Sequence, residues 1–281
     1  MKTNVMQCLA ALALLLSANL AQAAISCTIS SSGFIVGYTS GGAQVITQSS
    51  YSITCTRGLI TDPLTTAYSV KVNNGLNPQG QNNRAASGAN LLRYDTYIDS
   101  GCATSWKGNT TIPSPAGTIT MVDLTSTTVT HNFWGCIAAL LTPVAGIYTD
   151  TMTMTPTYSA GVLGGTGTIP VKIITPATCS IATIPNISLA YGNAFRSTAA
   201  TATTSAPVTC SNQLPYTMAV SPTSGVSAGI NYSLSLPASG TGTGLSQGIT
   251  ITATAPANQA GTCATGTCTG VAQLHTLTVT F

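Results

Sequence analysis

Residues Gly167–Cys179 read GTIPVKIITPATC. Ile169, Val171 and Ile173 alternate with Pro170 and Lys172, the period of two that puts apolar side chains on one face of a β-strand. Pro170 has no N–H for a ladder, which confines it to an edge or to a position whose N–H would point outward. The stretch lies between two halves of the chain that look alike. The fold turns on which half this strand completes.

The halves match in order. Cys27 opens CTISSSGFIVGYT and Cys55 closes SYSITC; Cys179 opens CSIATIPNISLAYGN and Cys210 closes SAPVTC. Each copy then offers a strand, Ala67–Val72 (AYSVKV) and Tyr216–Val220 (YTMAV). Next come Leu91–Asp99 (LLRYDTYID) and Ile230–Leu236 (INYSLSL). Late in each lies a threonine-rich alternating strand, Tyr148–Thr155 (YTDTMTMT) and His275–Phe281 (HTLTVTF). An internal repeat of this length predicts two domains of one fold, residues 24–175 and 176–281.

Composition sets the class. Serine and threonine dominate, with 27 glycines and 14 prolines, the mixture of short strands and polar turns. No long segment has helical periodicity, so the class is all-β. Charged residues make up 5% of the chain against a typical ~25%, and Arg196 alone is formally charged between Pro176 and Phe281. No basic stripe is available for nucleic acid. Residues 1–23 carry the marks of an export signal: Lys2, the apolar Leu9–Leu16, and Ala21-Gln22-Ala23 before the cut. Cys8 falls within it. The remaining cysteines are even in number, which in an exported chain predicts disulfides; sequence order suggests Cys27–Cys55, Cys102–Cys136, Cys179–Cys210 and Cys263–Cys268. Zinc spacing is absent and the histidines are His131 and His275, so neither metal nor cofactor is expected. Asp95 and Asp99 flank one predicted strand, Asp123 and Asp150 stand alone, and no catalytic pair emerges; the chain does not read as an enzyme.

The cysteine-bounded first segments, the NYSL strand and GIYTDTMTMT resemble the spore coat protein U family, which includes the pilins of archaic chaperone–usher pili. The resemblance implies two tandem immunoglobulin-like, pilin-type β-sandwiches, each lacking a last strand that a neighbour's N-terminal extension supplies. It also implies a periplasmic chaperone, an outer-membrane usher and an adjacent pilin subunit as partners. In such a subunit the donor strand lies just ahead of the first cysteine. GTIPVKIITPAT holds that place for the second copy and follows the first directly, so Ile169, Val171 and Ile173 are expected to complete domain one in cis. Domain two is expected to lack its final strand. Ala24–Ser26 leaves three residues ahead of Cys27, ~10 Å of chain, too short to fill a neighbour's groove. The expectation is a subunit that accepts a strand and donates none: an exported fibre tip, which in a pilus is usually the adhesin.

Counting strands back from the closing strand puts three connections at the far pole: Thr56–Thr66, Ser100–Gly117 and Ser159–Gly167. They carry Leu59, Ile60 and Leu64; Trp106 and Ile112; Val162 and Leu163. Large apolar residues on turn-rich loops mark a binding surface, and the family implies adhesion to abiotic surfaces and biofilm formation through such loops. The receptor side stays open between an abiotic and a host surface. Two other readings stand beside it: a glycan-binding tip with Trp106 and Asn109 as platform, and a coat or shaft protein. This count strains at one point, since Cys102 and Cys136 would lie at opposite poles of adjacent strands: either the long loop after Asp99 folds back or the strand count is wrong there.

Overall fold

The computed structural model describes residues 25–108, 115–159, 161–262 and 270–281. The expected export signal, Ile112 and the expected Cys263–Cys268 pair lie outside them. The described residues hold strands and no helix. The first domain comprises β1 (Ile25–Ser31), β2 (Phe34–Gly37), β3 (Val45–Thr56), β4 (Thr65–Val72), β5 (Asn83–Ser87), β6 (Asn90–Tyr97), β7 (Ala116–Thr120), β8 (Thr127–Ile137), β9 (Gly146–Tyr158), β10 (Val162–Gly164) and β11 (Gly167–Thr175). The second comprises β12 (Cys179–Ile181), β13 (Ala200–Cys210), β14 (Pro215–Ser221), β15 (Ser224–Ser227), β16 (Ile230–Ser235), β17 (Ser239–Thr241), β18 (Ser246–Ala255) and β19 (Thr276–Thr280).

In domain one, the path β10-β1-β3-β8-β6 forms one layer and β2-β11-β9-β4-β7 the other, with β5 bridging β6 and β9. Tyr51, Ile53, Phe133, Tyr148 and Met152 fill the space between. The abundance of hydroxyls has a use on the outer face of β3 and β8. Ser52 meets Thr130 at 2.9 Å, Thr54 meets Thr128 at 2.7 Å and Thr56 meets Ser126 at 2.8 Å, three cross-strand pairs in a row. Disulfides join Cys27 to Cys55 across β1 and β3, Cys102 to Cys136, and Cys179 to Cys210 across β12 and β13.

The opening stretch belongs to the half before it. β11 runs antiparallel to β9 along its whole length and parallel to β2 from Val171 to Ile174. Ile169 and Ile173 are 0% exposed and Val171 is 3% exposed; burying three such side chains stabilises by ~1.5–3 kcal/mol each. Pro170 is tolerated for a geometric reason. Ile174 O accepts from Tyr38 N at 2.9 Å, so even-numbered residues of β11 point their peptide groups toward β2, and the ladder with β2 begins only at Val171. The missing N–H falls just outside it. Gly33, at φ +68°, lets the chain enter β2 there; a Cβ on it would lie 1.8 Å from Pro170 O.

Domain two repeats this plan with a gap. One sheet runs β12-β13-β18-β16-β15 and the other β17-β14-β19. Among the described residues β19 pairs with β14 on one edge and with no strand on the other. Its inward side chains Leu277 and Val279 are only partly buried, whereas their counterparts on β9, Tyr148, Met152 and Met154, are sealed. The segment joining the domains is pinned: Ser211 Oγ donates to Pro176 O at 3.1 Å, and Asn212 Nδ2 to Thr142 O at 2.7 Å.

Replacing Ile169 or Ile173 by alanine should lower domain one's stability by ~2–5 kcal/mol in denaturant unfolding. Lys172→Ala on the other face should stay within about 0.5 kcal/mol. Equal losses at the two faces would contradict the assigned register.

Candidate functional site

The ends of β3, β7 and β9, with the start of β1, meet at the pole of domain one. Ser26 pairs with Thr56 on one side and Leu163 on the other. Met121 N donates to Leu64 O at 2.7 Å, joining the β7–β8 connection to the β3–β4 connection. Ser159 Oγ meets Thr66 Oγ1 at 2.8 Å, joining the β9–β10 turn to β4. The β3–β4 connection is built on Asp62: its carboxylate accepts from Leu59 N at 2.7 Å, and its own N–H donates to Leu59 O at 3.1 Å. That closed turn leaves the side chains between outward. Ile60 is 78% exposed, and Leu59, Leu64 and Leu163 are exposed beside it.

Not every expected member belongs there. Trp106 is 2% exposed, so it is core and not a binding residue. Its ring packs 5.2 Å from Tyr51 and 5.4 Å from Phe133, and its Nε1 donates to Val70 O at 3.0 Å. The cause is a turn after β6. The Asp99 carboxylate accepts from Gly101 N, Ala103 N and Thr104 N at 3.0, 3.1 and 2.6 Å. Those amides, Thr104's first, hold it below the usual carboxylate range. The chain then doubles back, with Ile98 N on Thr104 O and Trp106 N on Thr96 O. The described part of Ser100–Gly117 therefore runs along the body, away from the pole, and Cys102 reaches Cys136 without spanning the domain. A glycan platform on Trp106 goes with it. Val162 is half-buried against the core and contributes an edge at most.

The β7–β8 connection takes the vacated place. Val122 is 77% exposed and Leu124 is exposed with it. MVDLTS (Met121–Ser126) meets the same criterion as the other loops, large apolar residues among turn formers, and was legible on those terms. Six outward aliphatic side chains from three connections thus share one end of the domain, with Asp62 and Asp123 the carboxylates among them. Such a surface excludes water against another apolar surface.

Beneath the pole lies a polar–aromatic layer. His131 points inward from β8, stacked 5.3 Å from Tyr51, its Nε2 2.5 Å from the Tyr68 hydroxyl. Burial lowers its pKa. Asp150, buried on β9, accepts from Tyr94 Oη at 2.6 Å, Leu76 N at 2.8 Å and Thr151 N at 2.8 Å. Burial, and then the Asp150 charge, push the Tyr94 phenol well up. Asp95 pairs with Lys107 at 2.8 Å and Arg93 at 3.1 Å. These groups are spent on structure. The second candidate region is the unpaired edge of β19 with Leu277 and Val279.

Comparison with known proteins defines the class. The model of the Spore Coat Protein U domain matches residues 12–155 and again 165–246; this chain belongs to that family, and carries its unit twice. No curated protein matches. Among solved structures the chain is similar to the CupB6 tip adhesin from Pseudomonas aeruginosa (10% identity, 84% of this chain and 89% of that one, TM-score 0.38). It is similar also to the CssB subunit of enterotoxigenic Escherichia coli colonization factor CS6, complemented with a donor strand from CssA (15%, 54% and 97%, 0.26). A third is a chaperone–tip adhesin complex of CFA/I fimbriae (12%, 91% and 95%, 0.32). Likeness at this level carries no functional argument.

His131 supplies a pH dependence. Its folded-state pKa lies below the ordinary 6.5, so the unfolded chain takes up the proton first as pH falls. The stability it contributes is complete above pH 6.5 and declines below it toward the folded value. Domain one's unfolding midpoint should drop as the pH falls below about 6.5, and His131→Gln should flatten that slope. An identical slope in the variant would remove His131 as the cause.

Proposed function

We propose that this protein is a non-catalytic, exported subunit at the tip of a chaperone–usher pilus, and that it attaches cells to apolar surfaces. Domain one is the adhesive end and domain two the joint to the fibre. The observation that carries the reading is the difference between β11 and β19: one sheet is closed by its own chain, while among the described residues the other has a free edge lined by half-buried aliphatics. A domain closed in cis takes no strand from a neighbour. A free edge flanked by Leu277 and Val279 suits an added strand with aliphatic residues at alternate positions, donated by an adjacent pilin subunit and, before assembly, by a chaperone. The usher would pass the subunit out. The end of domain one opposite the junction carries Leu59, Ile60, Leu64, Val122, Leu124 and Leu163, and an exposed apolar cluster of this kind is the mark of a contact surface. Ile112, which lies outside the described residues, is proposed as a further member of this surface. Adhesion to plastic and biofilm formation follow from the apolar chemistry, with a host surface as the other target.

Two experiments test the parts separately. Leu59→Ser, Ile60→Ser, Val122→Ser and Leu163→Ser combined should abolish attachment to polystyrene while surface fibres persist by electron microscopy; attachment at the wild-type level would remove the pole from the function. For the joint, a peptide copying Thr168–Thr175 should raise domain two's unfolding midpoint in proportion to the logarithm of its concentration. No shift at saturating peptide would mean that β19 is not an acceptor edge.

A further inference from the structure

Arg57 is the first residue after β3 and is 4% exposed, yet no carboxylate pairs with it: the ion pairs among the described residues are Arg93–Asp95 and Lys107–Asp95. The nearby Asp62 directs its side chain to Leu59 N instead. The guanidinium is met by backbone carbonyls. Nη2 donates to Ile60 O and, at 2.7 Å, to Asp62 O; Nη1 lies 3.5 Å from Val122 O, across the gap to the β7–β8 connection. Nε has no partner. A buried cation without a counter-charge is costly, and an apolar side chain of like volume is commonly as stable or more so. Fold stability is therefore a poor reason for arginine here.

Geometry supplies a better one. A planar fork can bind several carbonyls at fixed angles, which no apolar side chain and no lysine can do. The carbonyls it binds belong to Ile60, Asp62 and Val122, and Ile60 and Val122 are the two most exposed of the large apolar side chains of the pole. We infer that Arg57 is a positioning residue for the adhesive pole: it holds the β3–β4 and β7–β8 connections in the single arrangement that turns Leu59, Ile60, Val122 and Leu124 outward. The ordering of these loops is then complete before contact, and binding does not bear that entropy. This inference rests on the adhesive reading of the pole, but the loop order it describes is measurable without any adhesion.

The test compares Arg57→Met and Arg57→Lys with the wild-type full chain by amide hydrogen exchange, thermal unfolding and attachment to alkyl-coated surfaces. In Arg57→Met, exchange at the Leu59, Asp62 and Met121 amides should rise at least about tenfold, with protection in β8 and β9 unchanged. Domain one's unfolding midpoint should be equal or higher. Attachment should fall by about tenfold or more, the equivalent of the loop-ordering free energy returned to the binding step. Arg57→Lys should recover charge without recovering exchange protection or attachment. Unchanged loop exchange in Arg57→Met overturns the inference whatever attachment does. Loosened loops with full attachment also overturn it, provided the serine-substituted pole loses attachment. If the serine-substituted pole attaches normally too, the adhesive reading falls, and with it the role given to Arg57.

Discussion

One row of three aliphatic side chains decides how this molecule is put together. Ile169, Val171 and Ile173 enter the core of domain one from a strand that also gives backbone hydrogen bonds to β9 on one side and to β2 on the other. At ~1.5–3 kcal/mol each, their burial approaches the ~5–15 kcal/mol net stability of an ordinary domain. Among the described residues domain two has no such row. Its four-residue buried cluster, Val208, Cys210, Tyr216 and Met218, is ringed by partly buried Ile181, Leu236, Ile249, Leu277 and Val279. The comparison extends to local structure. In domain one the Phe34–Gly37 stretch is a strand because β11 lies beside it. In domain two the corresponding Ile187–Ala190 (ISLA), ahead of Tyr191 as Phe34–Gly37 is ahead of Tyr38, has alternating exposure but no ladder. The sequences are alike; the partner is what differs.

The same strand separates two meanings of the word domain. The family's second unit begins at residue 165, ahead of β11, so by sequence the strand belongs to copy two. By packing it belongs to copy one. The chain reconciles the two by leaving β11 at Thr175 and docking at once, with Pro176 O and Thr178 N both on Ser211 Oγ, and Asn212 reaching back to Thr142. A strand buried in one sandwich thus leads straight into a hydrogen-bonded elbow with the next, at the end of domain one away from Leu59 and Ile60.

Much of this was legible in the residues. The repeat, the all-β class and the strand period of Ile169–Ile173 follow from spacing that the backbone must obey, whereas the pairings Cys27–Cys55, Cys102–Cys136 and Cys179–Cys210 rest in the sequence on order alone. The course of the described part of Ser100–Gly117 does not follow, because strand count alone places the loop at the pole and ignores what a single carboxylate can do. Asp99 gathers three amides and turns the chain back on β6, and a tryptophan that looks exposed by its Gly/Pro-rich neighbours becomes core. Cys102 was the clue, since its bond to Cys136 is incompatible with a loop standing at the pole. Arg57 was illegible for a different reason: a lone arginine beside a glycine reads as solvated, and only the closed turn around Asp62 buries it.

Why an exposed apolar cluster should be tolerated on a molecule with so few charges also has a physical answer. Six of the exposed aliphatics gather at one end, others such as Ile35, Leu76, Leu140 and Ile147 are spread over the rest of domain one, and the outer face of β3 beside β8 presents threonine and serine hydroxyls. Six aliphatic side chains, each worth at most ~1.5–3 kcal/mol on full burial, are only half covered by a flat surface. Association itself costs ~4–15 kcal/mol. On the proposed reading a single pole therefore holds weakly and releases readily, and firm attachment must come from many fibres engaging at once, where each further contact is intramolecular and its association cost is largely already met. Rigid loops matter more under those conditions than large ones, because every copy would otherwise repeat the cost of ordering.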